Sequence, residues 1–178
     1  GCLCGTKKAV ELASYRMTTV GVGAEGGASL GQNKSILKGF FYAPHTVKEA
    51  VKTAIFASKI FEELGFRAEP ASTATRHDII EAIYLGDPEL LCAFCRGIQW
   101  ASPIDSYVTP QPWDMPGYSD KVIMAAGAFT SGSSIELSAD GPLRPPYIAY
   151  LQGGLTYESG RLGILSAAKE VLKAQGKI

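Results

Sequence analysis

The sequence predicts an α+β domain in which helices pack on a small, mostly antiparallel sheet. Three short apolar runs between residues 122 and 151, separated by polar turns, predict strands. Amphipathic segments at 45–64 and 158–174 predict helices that each bury one stripe against such a sheet. At 178 residues, the chain has the length of one domain, or of one domain with part of another.

The three runs differ in the burial that they predict. Val122–Phe129 is continuously apolar or small, which is typical of a strand covered on both faces. Ser134–Ala139 alternates apolar and polar residues, which predicts a half-buried strand. Tyr147–Leu151 is bounded by proline and glycine pairs. The segment 140–146 between the last two runs predicts a turn stiffened by three prolines.

Helices are predicted from capping residues and apolar periodicity. Thr46 and Glu49 have the spacing of a capping box at the start of the helix over His45–Leu64, and Gly65 would end it. Further helices are predicted over Thr6–Tyr15, Pro88–Trp100 and Glu158–Ala174. We expect the first to face inward with Val10, Leu12 and Ala13, and the last with Leu162, Leu165, Ala168 and Leu172.

The remaining segments predict two more strands and a long loop. Residues 66–69 and 78–85 favour strands, and residues 1–5 resemble the end of a buried one. Residues 102–117 predict a proline-rich loop, which at this length usually contributes to function or to an interface.

Charge and composition exclude several classes of protein. Seventeen Lys and Arg residues balance seventeen Asp and Glu residues, so no basic surface for nucleic acid or lipid is indicated. No apolar stretch is long enough to span a bilayer, and the first residues given lack the basic-then-apolar pattern of a signal peptide. Because the sequence starts with a structured apolar stretch and not with Met, we expect further sequence upstream. We expect a cytoplasmic protein, or an organellar one if a transit peptide has been lost.

Several motifs resemble functional sites without their usual context. Cys92 and Cys95 form a C-x-x-C pair, but they lie on the apolar side of a predicted helix, so packing explains them better than metal or redox chemistry. A G-x-G-x-x-G pattern at residues 21–26 follows only a short apolar run and lacks the acid of a dinucleotide site. His45 and His77 favour surface positions over catalysis. We expect no metal site.

Five segments together resemble one known family. They are YRMTTVGVGAEGGASLGQN (15–33), FFYAPHTVKEA (40–50), GIQWASPIDSYVTPQPWDMPGY (97–118), SSIELSADGPLRPPYIAYLQGGLTYE (133–158) and RLGIL (161–165). They resemble the C-terminal part of the aluminium resistance proteins. That family is similar to methionine γ-lyase and the Cys/Met-metabolism enzymes, which depend on pyridoxal 5′-phosphate (PLP) and have the aspartate-aminotransferase fold, fold type I.

The resemblance implies an architecture and a function. Residues 1–40 would be the tail of a large PLP-binding domain, and residues 41–178 the small C-terminal domain. The intact enzyme would be a carbon–sulfur lyase of sulfur amino-acid metabolism and a homo-oligomer, with the Schiff-base lysine upstream of this chain, which lacks a recognisable one. This chain would then supply substrate binding and closure of the site. The alternative is a non-catalytic oligomerisation or binding domain that keeps only the fold.

The resemblance also suggests substrate-binding residues. In related lyases an Arg of the small domain binds the substrate carboxylate just before the last strand-to-helix corner, and Tyr150 stands at that position here. Arg144, six residues earlier on the proline-rich turn, is the substitute candidate for this contact. The alternative is that Arg144 only ties the turn to Asp140.

The remaining candidates concern the cofactor and the entrance to the site. Arg16, Gln32 and Asn33, in or beside the Gly-rich connector, would bind the cofactor phosphate or a neighbouring subunit, and the alternative is a solvated loop. Tyr107 and Trp113 would line the substrate entrance or pack at an interface.

Overall fold

The computed structural model describes residues 3–17, 21–23, 31–126 and 136–178. The chain divides into two compact units, Gly1–Phe41 and Tyr42–Ile178. That the first forty residues are the tail of a cofactor domain stays a prediction.

The first unit contains helix α1 (Lys7–Arg16), where the sequence predicts a helix. The side chain of Thr6 accepts a hydrogen bond from the Ala9 N–H, which caps the helix at its start. No residue of α1 is buried, and the inward orientation predicted for Leu12 is wrong, since Leu12 is 59% exposed. Val10 and Ala13 are half-buried. Residues 3–5 are exposed and are not a strand, so that prediction is wrong for the part of residues 1–5 that the structure describes.

Helix α2 (Asn33–Glu63) is much longer than predicted. It begins at Asn33 and continues through Pro44, whereas the sequence predicted a start at His45. The predicted capping box is therefore wrong, since Thr46 and Glu49 both lie inside the helix. Its end is as predicted, because Gly65 follows with φ of 88°, a conformation that favours glycine.

The second unit contains a five-stranded sheet with the order β1-β2-β5-β4-β3, and each neighbouring pair is antiparallel. This confirms the predicted fold class. The strands are β1 (Arg67–Glu69), β2 (Glu81–Tyr84), β3 (Val122–Ala126), β4 (Ser138–Pro142) and β5 (Ile148–Gln152). Residues 127–129 of the strand predicted over Val122–Phe129 lie outside the described residues.

Strand β4 begins and ends later than predicted. Residues 134 and 135 lie outside the described residues, but residues 140–142, which were predicted as a turn, belong to the strand. Gly141 and Pro142 are typical of turns, which explains the error. In the structure, Gly141 lies so close to the Ile148 carbonyl and to Leu91 that a Cβ would collide with them. Glycine is present here because the backbones approach closely, and not because the chain turns.

Helices α3 (Pro88–Trp100) and α4 (Tyr157–Ala174) pack together and contribute to the same core as the buried side of the sheet. Helix α3 has the predicted bounds, and the Asp87 side chain caps it. Two of the four residues of α4 that were predicted to face inward are exposed, Leu162 at 66% and Leu165 at 45%, whereas Ala168 is buried as predicted and Leu172 is half-buried. The buried residues of α4 are instead mostly small: Gly160, Gly163, Ile164, Ala167, Ala168 and Val171.

A carboxylate joins helices α2 and α4. Glu49, which is nearly buried, accepts a hydrogen bond from the backbone N–H of Tyr157 at 2.9 Å, in the first turn of α4. This bond, with Lys48 and Lys52 nearby, lowers the pKa of Glu49 to about 2. Thr53, one turn further along α2, packs against Gly154 and Gly160. None of the helices in the described ranges is long and apolar enough to cross a membrane.

Candidate substrate-binding site

The turn between β4 and β5 carries Arg144 on an ordered backbone. The Arg144 N–H donates to the Pro142 carbonyl at 2.8 Å, and the Tyr147 N–H donates to the Arg144 carbonyl at 2.8 Å. The Leu143 N–H donates to the Lys121 carbonyl at 2.7 Å, which joins the turn to the residue before β3. These bonds fix the backbone from which the Arg144 side chain extends.

The guanidinium of Arg144 is mostly free to bind a ligand. Its side chain is 64% exposed, and its nearest carboxylate oxygen, on Asp120, lies at 3.7 Å. Exposed ion pairs of this kind contribute only about 0–1 kcal/mol. The alternative in which Arg144 is tied to Asp140 is wrong, because Asp140 lies within β4 and the ion pair is made by Asp120. Burial raises the pKa of Asp140 instead.

Tyr150 lies in the middle of β5, on the side of the sheet that faces away from the core. Its neighbours Ala149 and Leu151 are buried, whereas Tyr150 is 40% exposed, as expected for alternating side chains. Asp140 is its cross-strand partner on β4. No hydrogen bond or ion pair joins Tyr150 to Arg144 among the described residues.

The three predicted cofactor-binding residues all belong to the first unit and are exposed. Arg16 ends α1, while Gln32 and Asn33 lie at the start of α2, where the Gln32 carbonyl accepts the Ile36 N–H at 3.0 Å. No hydrogen bond or ion pair links these three residues within the described ranges. Arg16, Gln32 and Asn33 do not by themselves enclose a phosphate within the described residues.

The predicted entrance residues lie in an irregular segment, as the sequence indicated. Trp113 is 53% exposed, and its backbone pairs with that of Val122 next to β3. Tyr107 is 85% exposed and contributes to a groove beside Trp100. Their role at a substrate entrance stays a prediction.

The cysteine pair is part of the core, as predicted. Cys92 and Cys95 are buried in α3, and Cys95 donates to the Ala139 carbonyl at 3.7 Å. Burial raises the pKa of both thiols, which disfavours the thiolate that metal binding requires. The part of the chain that the structure describes contains no group of His, Cys, Asp and Glu residues suited to a metal ion.

Sequence reasoning missed a buried ion pair between Arg76 and Glu81. Arg76 also donates to the Ser58 hydroxyl at 2.8 Å and to the Pro70 carbonyl at 3.0 Å. Glu81 is fully buried at the start of β2, and burial raises its pKa to about 7 against the opposing effect of Arg76. The available signal was an acid inside the apolar segment DIIEAIYL.

The family model for methionine γ-lyase matches residues 1–172. The chain belongs to the methionine γ-lyase family. It is 51% identical over 175 residues to the protein YnbB of Bacillus subtilis. The aligned region covers 98% of this chain and 42% of YnbB. A 33.9 kDa protein encoded in the glnA 5′ region of Lactobacillus delbrueckii subsp. bulgaricus is 46% identical over 96% of this chain and 56% of its own length.

The chain is also similar to solved structures. A carbon–sulfur lyase involved in aluminium resistance from Clostridium novyi NT superposes with a TM-score of 0.84 at 51% identity. The match covers 94% of this chain and 39% of the Clostridium novyi chain. The chain therefore spans about two fifths of that lyase and of YnbB.

Proposed function

We propose that this chain is the C-terminal portion of a PLP-dependent carbon–sulfur lyase of sulfur amino-acid metabolism. Its role is to bind and orient the amino-acid substrate and to close over the site. The observation that carries the proposal is the likeness, over 94% of the chain, to a carbon–sulfur lyase at 51% identity. Fold alone would not specify a reaction, but this degree of identity makes shared chemistry the best-supported reading.

Arg144 is the residue through which this chain would bind substrate. Its guanidinium offers paired N–H donors that fit the two oxygens of an α-carboxylate. The ordered backbone of the turn reduces the loss of conformational freedom on binding, because only the side chain must become fixed. A substrate carboxylate would readily displace Asp120, whose Oδ2 lies 3.7 Å from Arg144 Nη1, because an exposed ion pair contributes little free energy.

PLP, when bound to the intact enzyme, would supply the electron sink for carbon–sulfur cleavage. The exposed guanidinium of Arg16 and the exposed amides of Gln32 and Asn33 remain proposed contacts for its phosphate or for a neighbouring subunit. Support for the cofactor comes from family membership and not from a pocket within the described residues.

The second candidate function is a non-catalytic oligomerisation or binding domain. The observation that favours it is that the described residues do not enclose a cofactor site, and the predicted candidates are exposed. The two candidates differ in whether the intact protein binds PLP and cleaves a carbon–sulfur bond.

The test is made on the intact protein incubated with PLP. We expect an absorbance band at about 420 nm from bound cofactor, and keto-acid release from one or more sulfur amino acids. With the substrate so found, Arg144→Ala should raise KM about tenfold or more, because a charged hydrogen-bonding partner of the carboxylate is lost. The kcat should change less, since the reacting bond is elsewhere.

Arg67→Ala is the matched control, because the Arg67 side chain is also 64% exposed and also forms a surface ion pair. It should leave KM unchanged. Absence of both the band and keto-acid release would leave the non-catalytic domain as the function. An active enzyme in which Arg144→Ala and Arg67→Ala give the same KM would remove Arg144 from the substrate site.

A further inference from the structure

A groove of about 610 Å³ lies on the second unit, on the surface of helices α3 and α4. The segment 106–109 of the proline-rich loop forms its third wall. Its volume falls in the range of small-molecule sites, which is about 300–1,000 Å³. Arg144 and Tyr150 are not among its lining residues.

The groove combines positive charge with exposed aromatic rings. Helix α3 contributes Arg96 and Trp100, which are one turn apart and so share a face. Helix α4 contributes Lys169 and Lys173 with the same spacing. Three cations therefore face a single lining acid, Glu170, and the groove has an excess of positive charge.

The cations are only partly neutralised by the protein. Lys173 pairs with Glu170 at 2.8 Å, and Arg96 uses Nη1 to pair with Glu89 at 2.8 Å. Lys169 forms no ion pair or hydrogen bond with any described residue. The Lys169 side chain is exposed, so its ammonium group is available to an anion in the groove.

The aromatic rings of the groove indicate that its ligand contains a planar ring in addition to an anionic group. Trp100 is 71% and Tyr107 is 85% exposed, and large apolar side chains this exposed commonly mark binding surfaces. Both line the groove that contains the cations. A planar ring can stack on such side chains while an attached phosphate meets the Arg and Lys residues.

We propose that this groove binds a small aromatic compound carrying a phosphate, of the nucleoside monophosphate class. Trp100 and Tyr107 hold the base, and Arg96, Lys169 and Lys173 hold the phosphate. The proposal is independent of the carbon–sulfur lyase function, because it concerns a different surface and its readout is binding.

The experiment is calorimetric titration of the intact protein with adenosine 5′-monophosphate at low ionic strength, where charge interactions are least screened. Adenosine and inorganic phosphate are titrated separately. We expect the monophosphate to bind more tightly than either part alone. Lys169→Gln should weaken monophosphate binding about tenfold, because a charged hydrogen-bond donor is lost. Trp100→Ala should weaken binding of the monophosphate but leave that of inorganic phosphate unchanged.

Lys59→Gln is the matched control, since Lys59 is an exposed helical lysine outside the groove. It should leave the monophosphate affinity unchanged. All three replaced side chains are exposed, so folding is expected to persist, and a thermal melt of each variant verifies it. The proposal is overturned if wild-type protein gives no heat with millimolar monophosphate. It is equally overturned if Lys59→Gln weakens binding as much as Lys169→Gln, or if inorganic phosphate binds as tightly as the monophosphate.

Discussion

Glu81 is an acid in a position where sequence patterns favour an apolar residue. It is fully buried, and its Oε1 has no hydrogen-bond partner among the described residues, while its other oxygen meets Arg76. Removing a carboxylate from water favours its neutral form. The pKa of Glu81 is therefore raised from 4.5 to about 7, despite the positive charge of Arg76.

The raised pKa of Glu81 makes the free energy of unfolding depend on pH. Between pH 4.5 and 7 the folded state holds the Glu81 proton more firmly than the unfolded chain does. The contribution of Glu81 to the free energy of unfolding is thus fully present below pH 4.5 and is lost as pH rises through about 7. The loss amounts to up to about 3 kcal/mol.

We predict that Glu81→Gln flattens the pH dependence of stability between pH 5 and 8, measured by urea denaturation of the intact protein. Glu63→Gln is the control, because Glu63 forms only an exposed pair with Lys59 on α2. It should keep the wild-type slope. Equal slopes for wild type and Glu81→Gln would show that Glu81 is ionised in both states.

Single residues were predictable where the neighbouring sequence determines the structure. The bounds of the helix over Pro88–Trp100 and the helix end at Gly65 depend on adjacent backbone, and both were found as predicted. The partners of Arg76 and Arg144 depend on residues brought close by folding. The sequence offered Asp140 for Arg144, but the structure provides Asp120.

At the scale of elements, the contact between α3 and α4 depends on glycine. A Cβ on Gly97 would lie 2.5 Å from the Ala167 Cα and 2.8 Å from the Ser166 carbonyl oxygen. Backbone atoms cannot move aside as the end of a flexible side chain can, so the helices would have to separate. The close approach of the two helices requires the absence of a side chain at this position.

We predict that Gly97→Ala destabilises the protein by about 1–3 kcal/mol, because it overpacks the helix contact. Gly39→Ala is the control, since a Cβ at Gly39 would meet nothing within 4 Å and Gly39 lies inside α2. Alanine should there be neutral or stabilising by up to about 1 kcal/mol. Chemical denaturation compares the variants, and an unchanged midpoint for Gly97→Ala would mean that the helices separate without cost.

The buried face of α4 shows why periodicity alone was insufficient. The prediction followed the leucines, and Leu162 and Leu165 are exposed. The structure instead buries the side with Gly163 and Ala167, because small residues permit close helix packing. Hydrophobicity scales favour leucine over glycine, so the sequence pattern was wrong for Leu162 and Leu165 but correct for the small residue Ala168.

For the whole molecule, the sequence predicted the fold class but not the order of strands. Each strand has a local signature, whereas the order β1-β2-β5-β4-β3 depends on pairing between segments far apart in the chain. Recognition of the family depended on long specific segments, and the family match confirms it. The proposed roles of Arg144, Tyr150, Arg16, Gln32 and Asn33 stay predictions.

We further predict that the intact protein is a homo-oligomer, as the resemblance to the Cys/Met-metabolism enzymes implies. Exposed apolar side chains on α4, including Leu162 at 66%, are consistent with a covered surface. Light scattering after size exclusion should give a mass of at least two chains. A dilution series tests whether the assembly is stable, and a monomer mass at every concentration would contradict the prediction.

The strand order also has a consequence for how this chain is made. Strand β2 pairs with β1 on one side but with β5 on the other, and β5 emerges from the ribosome only after α3, the proline-rich loop, β3 and β4. Until then the Glu81 backbone lacks its Leu151 partner. The apolar side of the paired strands β1 and β2 is also not yet fully covered by the rest of the core. The nascent chain therefore carries an unfinished sheet edge from the synthesis of β2 until that of β5, and this is the interval in which a chaperone would have most to protect.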